Sequence, residues 1–154
     1  MSHTPRRTTR TEDLDPELTE VSRKVIGAAI EIHRALGPGF DESVYATALA
    51  GELDSLGVTY AQDHRADVTF KGRTVGACAF DLFVNNRFVV DLRAEHREID
   101  GVDRTALRAQ LRAADLELGL IINFGERRLK DGLVRVLNPD KLGGGGDDHD
   151  GDDA

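Results

Sequence analysis

The segment 118–124, LGLIINF, constrains the fold most strongly, because a near-continuous apolar run of strand length suits a strand buried on both faces. Such a strand sits at the centre of a sheet and needs cover. The residues before it supply that cover in an order that can be read from their spacing. Val21, Val25, Ala28, Ala29, Ile32 and Leu36 recur at three- and four-residue intervals, which predicts one face of a helix starting near Pro16 and stopping at Gly37-Pro38-Gly39. A second helix is expected next, with Asp41 as N-cap, Val44, Ala48, Leu49 and Leu53 as its apolar stripe, and Gly57 as its stop. From Val58 onward alternation and turn residues take over. They predict strands over 59–70, 74–84 and 88–93, with turns at Lys71-Gly72 and Asn85-Asn86, and hence an antiparallel meander. A third helix over about 103–115 and a last short strand over 133–137 complete the pattern. The expected fold class is α/β: a single two- or three-layer domain, with a mixed sheet and antiparallel meander flanked by helices.

Composition sets the limits of this domain. A chain of 154 residues, 40% hydrophobic and 31% charged, builds one core and not two. Residues 1–15 are rich in Thr, Arg and Asp without an apolar period and read as a flexible arm; residues 142–154, Gly- and Asp-rich, read as a disordered tail. The domain is expected over 16–141. His149 and the aspartates around it could chelate a metal weakly, but a solvated tail is the preferred reading. The chain lacks the run of roughly 18 apolar residues that a membrane span needs, and its start is polar, so the expectation is a cytoplasmic protein with no membrane partner. The single cysteine, Cys78, excludes an internal disulfide and reads as a small buried hydrophobe. Net charge is -8, and removing the first ten residues and the acidic tail leaves 17 basic against 23 acidic residues, or about -6. Such a domain has no general attraction for phosphate backbones, so contact with DNA or RNA requires a local basic patch. The residues Arg93, His96, Arg97, Arg104, Arg108 and Arg112 are the candidate patch.

One local string stands out. Gly39-Phe40-Asp41-Glu42-Ser43-Val44-Tyr45 fits G-x-x-E-x-x-Y at a point where a glycine turn hands over to a helix. With the segments IGAAIEIHRALGPGFDESVY and LELGLIINFGERRLKDGLVRVLN, it resembles the GxxExxY proteins, a small bacterial family with the PD-(D/E)XK nuclease fold, over roughly 18–138. The superfamily's site places an Asp on one strand and then Asp or Glu, one residue, and Lys on the next; the matching positions are Asp81 and Asp91-Leu92-Arg93. The resemblance implies metal-assisted hydrolysis of DNA or RNA phosphodiesters, with Mg²⁺ or Mn²⁺ held by Glu42, Asp81 and Asp91, and Arg93 stabilising phosphate charge. It also implies an alternative, a catalytically inactive descendant that binds nucleic acid or protein. Neither the substrate nor the oligomeric state follows from the residues.

Three departures bear on that choice. Asp91 stands where the family usually has Glu, which keeps a metal-binding carboxylate, and Arg93 where it has Lys. Arginine clamps phosphate but cannot lose a proton to water. Ala106 and Gln110 fall where the family usually has Gln and Tyr, removing a polar group from the site edge. Strand geometry decides whether the acids can meet. A two-residue Asn85-Asn86 turn would oppose Asp81 to Val90 and send Asp91 to the other face, whereas a three-residue loop or a bulge pairs Asp81 with Asp91. An odd loop is therefore expected. The residues alone also allow a blander reading, in which Asp81 is a turn residue and Asp91 with Arg93 forms a structural ion pair. His33, His64 and His96 lack nucleophile or metal-ligand spacing and read as surface residues.

Overall fold

A computed structural model describes residues 15–141; the expected arm over 1–15, except Asp15, and the tail over 142–154 lie outside the described residues. Three helices and five strands follow in the order α1 (Pro16–Leu36), α2 (Glu42–Leu56), β1 (Tyr60–Phe70), β2 (Arg73–Val84), β3 (Phe88–Arg93), α3 (Gly101–Ala114), β4 (Leu118–Asn123) and β5 (Leu133–Leu137). The strands form one mixed sheet in sequence order; β3 and β4 run parallel, every other neighbouring pair antiparallel. The crossover between β3 and β4 carries α3, as a parallel connection requires.

Burial divides the sheet by strand parity. Leu82, Val84, Phe88, Val90, Leu92, Leu118, Leu120 and Ile122 pack against α1 and α2, whereas Val89, Ile121 and Val136 pack with Leu107 and Leu111 of α3. Every residue of β4 is buried, because helices cover both of its faces. Side chains of this size each contribute about 1.5–3 kcal/mol when fully buried.

Local chemistry fixes the helix ends. Asp41 caps α2 by accepting from the Ser43 N–H at 3.1 Å, and Gly57 ends it in the left-handed region that glycine tolerates (φ 73°). Helix α3 begins at Gly101, ahead of the expected start, because Asp100 and Asp103 form a reciprocal capping box. Two sequence expectations need correction. His33 is not a surface residue: it is 9% exposed on the inner face of α1, and its Nε2–H donates to the Glu126 carbonyl at 2.9 Å. Cys78 is only half-buried, since the outer part of the β1–β2 hairpin extends past the helical layers and leaves Phe70 and Val75 exposed.

Candidate active site

The site starts from the link between β2 and β3. Asn85 and Asn86 both take positive φ, 55° and 56°, and the Arg87 N–H closes the turn on the Val84 carbonyl at 2.9 Å. Asparagine tolerates that region better than most residues. Pairing resumes at Val84 opposite Phe88, so the loop holds three residues and Arg87 is the extra one. Its guanidinium is tied to Asp15 at 3.0 Å and Glu117 at 2.9 Å. The odd count sets Phe83 opposite Val89 and brings Asp81 to the position facing Asp91.

There the strands part. The ladder between β2 and β3 ends at Leu82 and Val90, and the Asp81 carboxylate accepts the Leu92 N–H at 2.7 Å. A side chain thus bridges the fork between two strands, satisfying a backbone donor that would otherwise lose its partner. Asp81 therefore lies inside a strand and is not a turn residue. Burial pushes its pKa up, the Leu92 N–H works against that, and the neighbouring Asp91 carboxyl adds to the rise, with a further contribution from Asp63 on β1.

Glu42, exposed in the first turn of α2, lies near enough to feel the charges of both acids. Partial burial raises its pKa, and the negative charges of Asp81 and Asp91 raise it further. Its position follows from Tyr45, one turn on. Tyr45 is fully buried, its ring stacks on Phe124 at 4.5 Å, and its hydroxyl donates to the Gly37 carbonyl at 2.6 Å while accepting from the Phe40 N–H at 3.1 Å. One side chain ties the glycine turn to the start of α2. Gly39, at φ 120°, sits in a region that residues with a Cβ rarely adopt.

Arg93 is heavily engaged. Its Nη2 and Nε donate to Asp91 Oδ2 at 2.9 and 3.3 Å, and its Nη1 donates to Asp103 Oδ1 at 2.9 Å. Partial burial opposes its charge, but the bonds to Asp91 and Asp103 prevail and raise its pKa beyond the usual arginine range. The ion pair of the blander reading, Asp91 with Arg93, is present, and it engages one of the three candidate acids. Asp103, which the sequence reading passed over, also accepts from both Nη atoms of Arg97 at 2.8 and 2.9 Å, and those bonds hold its carboxyl well below the usual carboxylate range. Its spacing after Asp100 was the available signal, as a capping box, and gave no hint of the two arginines. Of the expected basic stretch, Arg93, Arg97 and Arg112 are all ion-paired within the chain, and His96 is exposed. Ala106 is exposed on α3, and Gln110 is half-buried there.

The model of the PD-(D/E)XK nuclease superfamily matches residues 19–136. The chain belongs to the PD-(D/E)XK nuclease superfamily. No curated protein and no solved structure matches it. Proteins of this nuclease superfamily generally use divalent metals, and the donor chemistry here fits one: three carboxylates, two with raised pKa values from burial and mutual charge, form a set that a hard cation would relieve. Among the described residues, no three acid, His or Cys side chains stand ready at metal-holding positions, so binding would require their side chains to adjust. Arg93 engages Asp91 through Oδ2 alone. No helix among the described residues is long and apolar enough to cross a membrane.

Proposed function

We propose that this nuclease-superfamily domain is a GxxExxY-type protein acting on DNA or RNA phosphodiesters through Mg²⁺ or Mn²⁺ held by Glu42, Asp81 and Asp91, with hydrolysis slowed by Arg93. The observation that supports this reading is that Asp81 sits at the fork of β2 and β3 facing Asp91, with Glu42 of α2 near enough for their negative charges to raise its pKa beyond the effect of partial burial. A bound cation would polarise the phosphate and ease deprotonation of the attacking water. Asp81 is held in place for such a role by the Leu92 N–H, and Glu42 by the Tyr45 anchor. Arg93 can neutralise phosphate charge but cannot exchange a proton with water, and it must first leave Asp91 or Asp103. That double engagement is the physical basis of slow hydrolysis. It also favours a second reading, a non-catalytic module binding nucleic acid or protein. A bacterial, cytoplasmic setting fits the resemblance.

Calorimetry with Mg²⁺ or Mn²⁺ on the wild type and on Asp91→Asn tests the metal site; binding lost in the variant is the expected result, and binding that ignores Asp91 would remove the proposal. Cleavage assays then separate the two readings. Arg93→Lys should raise metal-dependent cleavage of DNA or RNA, because a compact ammonium replaces the clamped guanidinium. Absence of metal-dependent cleavage in both proteins would favour the binding module.

A further inference from the structure

Asp103 is a carboxylate on which two guanidiniums close. Its Oδ1 accepts from Arg93 Nη1 and Arg97 Nη2, each at 2.9 Å, and its Oδ2 accepts from Arg97 Nη1 at 2.8 Å and from the Asp100 N–H at 2.9 Å. Both oxygens are filled, and the side chain is only 9% exposed. It also lies in the first turn of α3, where the helix dipole adds positive potential. Two arginine forks and a helix start around one two-oxygen anion are the surroundings that suit a phosphodiester, whose two unbridged oxygens share one charge as those of a carboxylate do. The side chain of Arg97 is 44% exposed, which opens the arrangement toward solvent on that side. The other partners of the arginines are also acids: Asp91 on Arg93 at 2.9 Å and Glu95 on Arg97 at 2.7 Å. A chain that carries about -6 outside its ends needs such a local site if it is to hold a polyanion.

We propose that Asp103 occupies, as an internal stand-in, the place of a nucleic-acid phosphate between Arg93 and Arg97, and that these two arginines grip the backbone of DNA or RNA when Asp103 yields. This rests on the nucleic-acid reading above and extends it, because it places the backbone contact at the start of α3, next to the acid cluster. Asp103 acts here as a latch. It keeps the pair neutralised in the free protein and makes phosphate binding weak until a polyanion competes for the guanidiniums.

The test uses the full chain in EDTA, so it is independent of metal binding and cleavage. A fluorescent single-stranded DNA oligonucleotide is titrated against the wild type, Asp103→Asn, and Asp131→Asn; the last makes the same charge change at the exposed pair with Arg128. Asp103→Asn should bind roughly tenfold more tightly, with a log–log salt slope steeper by about one. Adding Arg97→Ala should erase that gain, and Asp131→Asn should show little of it. In parallel, inorganic phosphate at matched ionic strength should raise the melting temperature of Asp103→Ala more than that of the wild type, by filling the vacated place. If either variant is unfolded in chloride, refolding in phosphate supports the latch and failure to refold counts against it. A folded Asp103→Asn with unchanged affinity, or a gain that survives Arg97→Ala, overturns the proposal. Stabilisation by phosphate without a gain in oligonucleotide affinity overturns the nucleic-acid assignment.

Discussion

Tyr45 links the G-x-x-E-x-x-Y spacing to geometry at the level of a single residue. Three residues along a helix return to nearly the same side, so a buried Tyr45 leaves Glu42 at the rim above it. Tyr45→Phe keeps the ring on Phe124 but strips the Gly37 carbonyl and the Phe40 N–H of their partner. The expected cost is about 1–2 kcal/mol in denaturant unfolding. Metal affinity should fall as well, because the turn that positions Glu42 loosens. A variant as stable as the wild type would show that the hydroxyl does not hold the turn. Gly125 is equally specific: a Cβ there would lie 2.4 Å from the Glu95 carbonyl oxygen, a backbone atom that cannot step aside cheaply. Gly125→Ala should cost about 3 kcal/mol, at the upper end of overpacking penalties, read as a lowered denaturation midpoint.

Among the elements, the three-residue loop between β2 and β3 has the most consequence for the site. Inserting one residue after Asn86, with the three-residue loop kept, would set Val84 opposite Arg87 and so Asp81 opposite Val90. The core resists such a slip, because Leu82, Val84, Phe88 and Val90 all pack on the α1–α2 side and cannot stay there if one strand shifts by a residue. The insertion should therefore lower the melting temperature and abolish divalent-metal binding together. Retention of full metal affinity would show that the register does not set the site. The parity of this loop was legible in advance only as a condition: if the two acids meet, the count must be odd. Tertiary packing selected the odd count.

For the whole molecule, two sets of carboxylates pull pH dependence in opposite directions. Asp103, lowered mainly by its bonds to Arg97, contributes stability that is present above its unfolded pKa of about 4 and is lost as pH falls. Glu42 and Asp81, raised mainly by burial, retain protons that the unfolded chain has released; their contribution is complete below about pH 4 and is lost as pH rises through their raised values. Metal-free protein should therefore be most stable in the weakly acidic range. Mg²⁺ or Mn²⁺ should stabilise it more at about pH 8 than at about pH 5, since the cation competes with protons for these acids. Thermal melts at both pH values, with and without metal, check this, and equal stabilisation at both would argue against the acid cluster as the binding site.

Sequence alone determined the element order, the glycine stops after Leu36 and Leu56, the meander, and the doubly covered β4, because periodicity and turn chemistry are local and survive without knowledge of the partner. The resemblance to the GxxExxY proteins named Glu42, Asp81, Asp91 and Arg93 as a set. What the sequence left open depends on side chains that meet from distant positions. The buried His33 finds the Glu126 carbonyl across 93 positions of chain, and no spacing rule reaches that far. Arg93 and Arg97 looked like a basic patch because their neighbours in sequence are basic, whereas in space both turn to Asp103. Only the packing of α3 against the sheet decided that those charges meet an acid of the same chain, since an arginine's reach and direction are set by the element it stands on and by the one across from it.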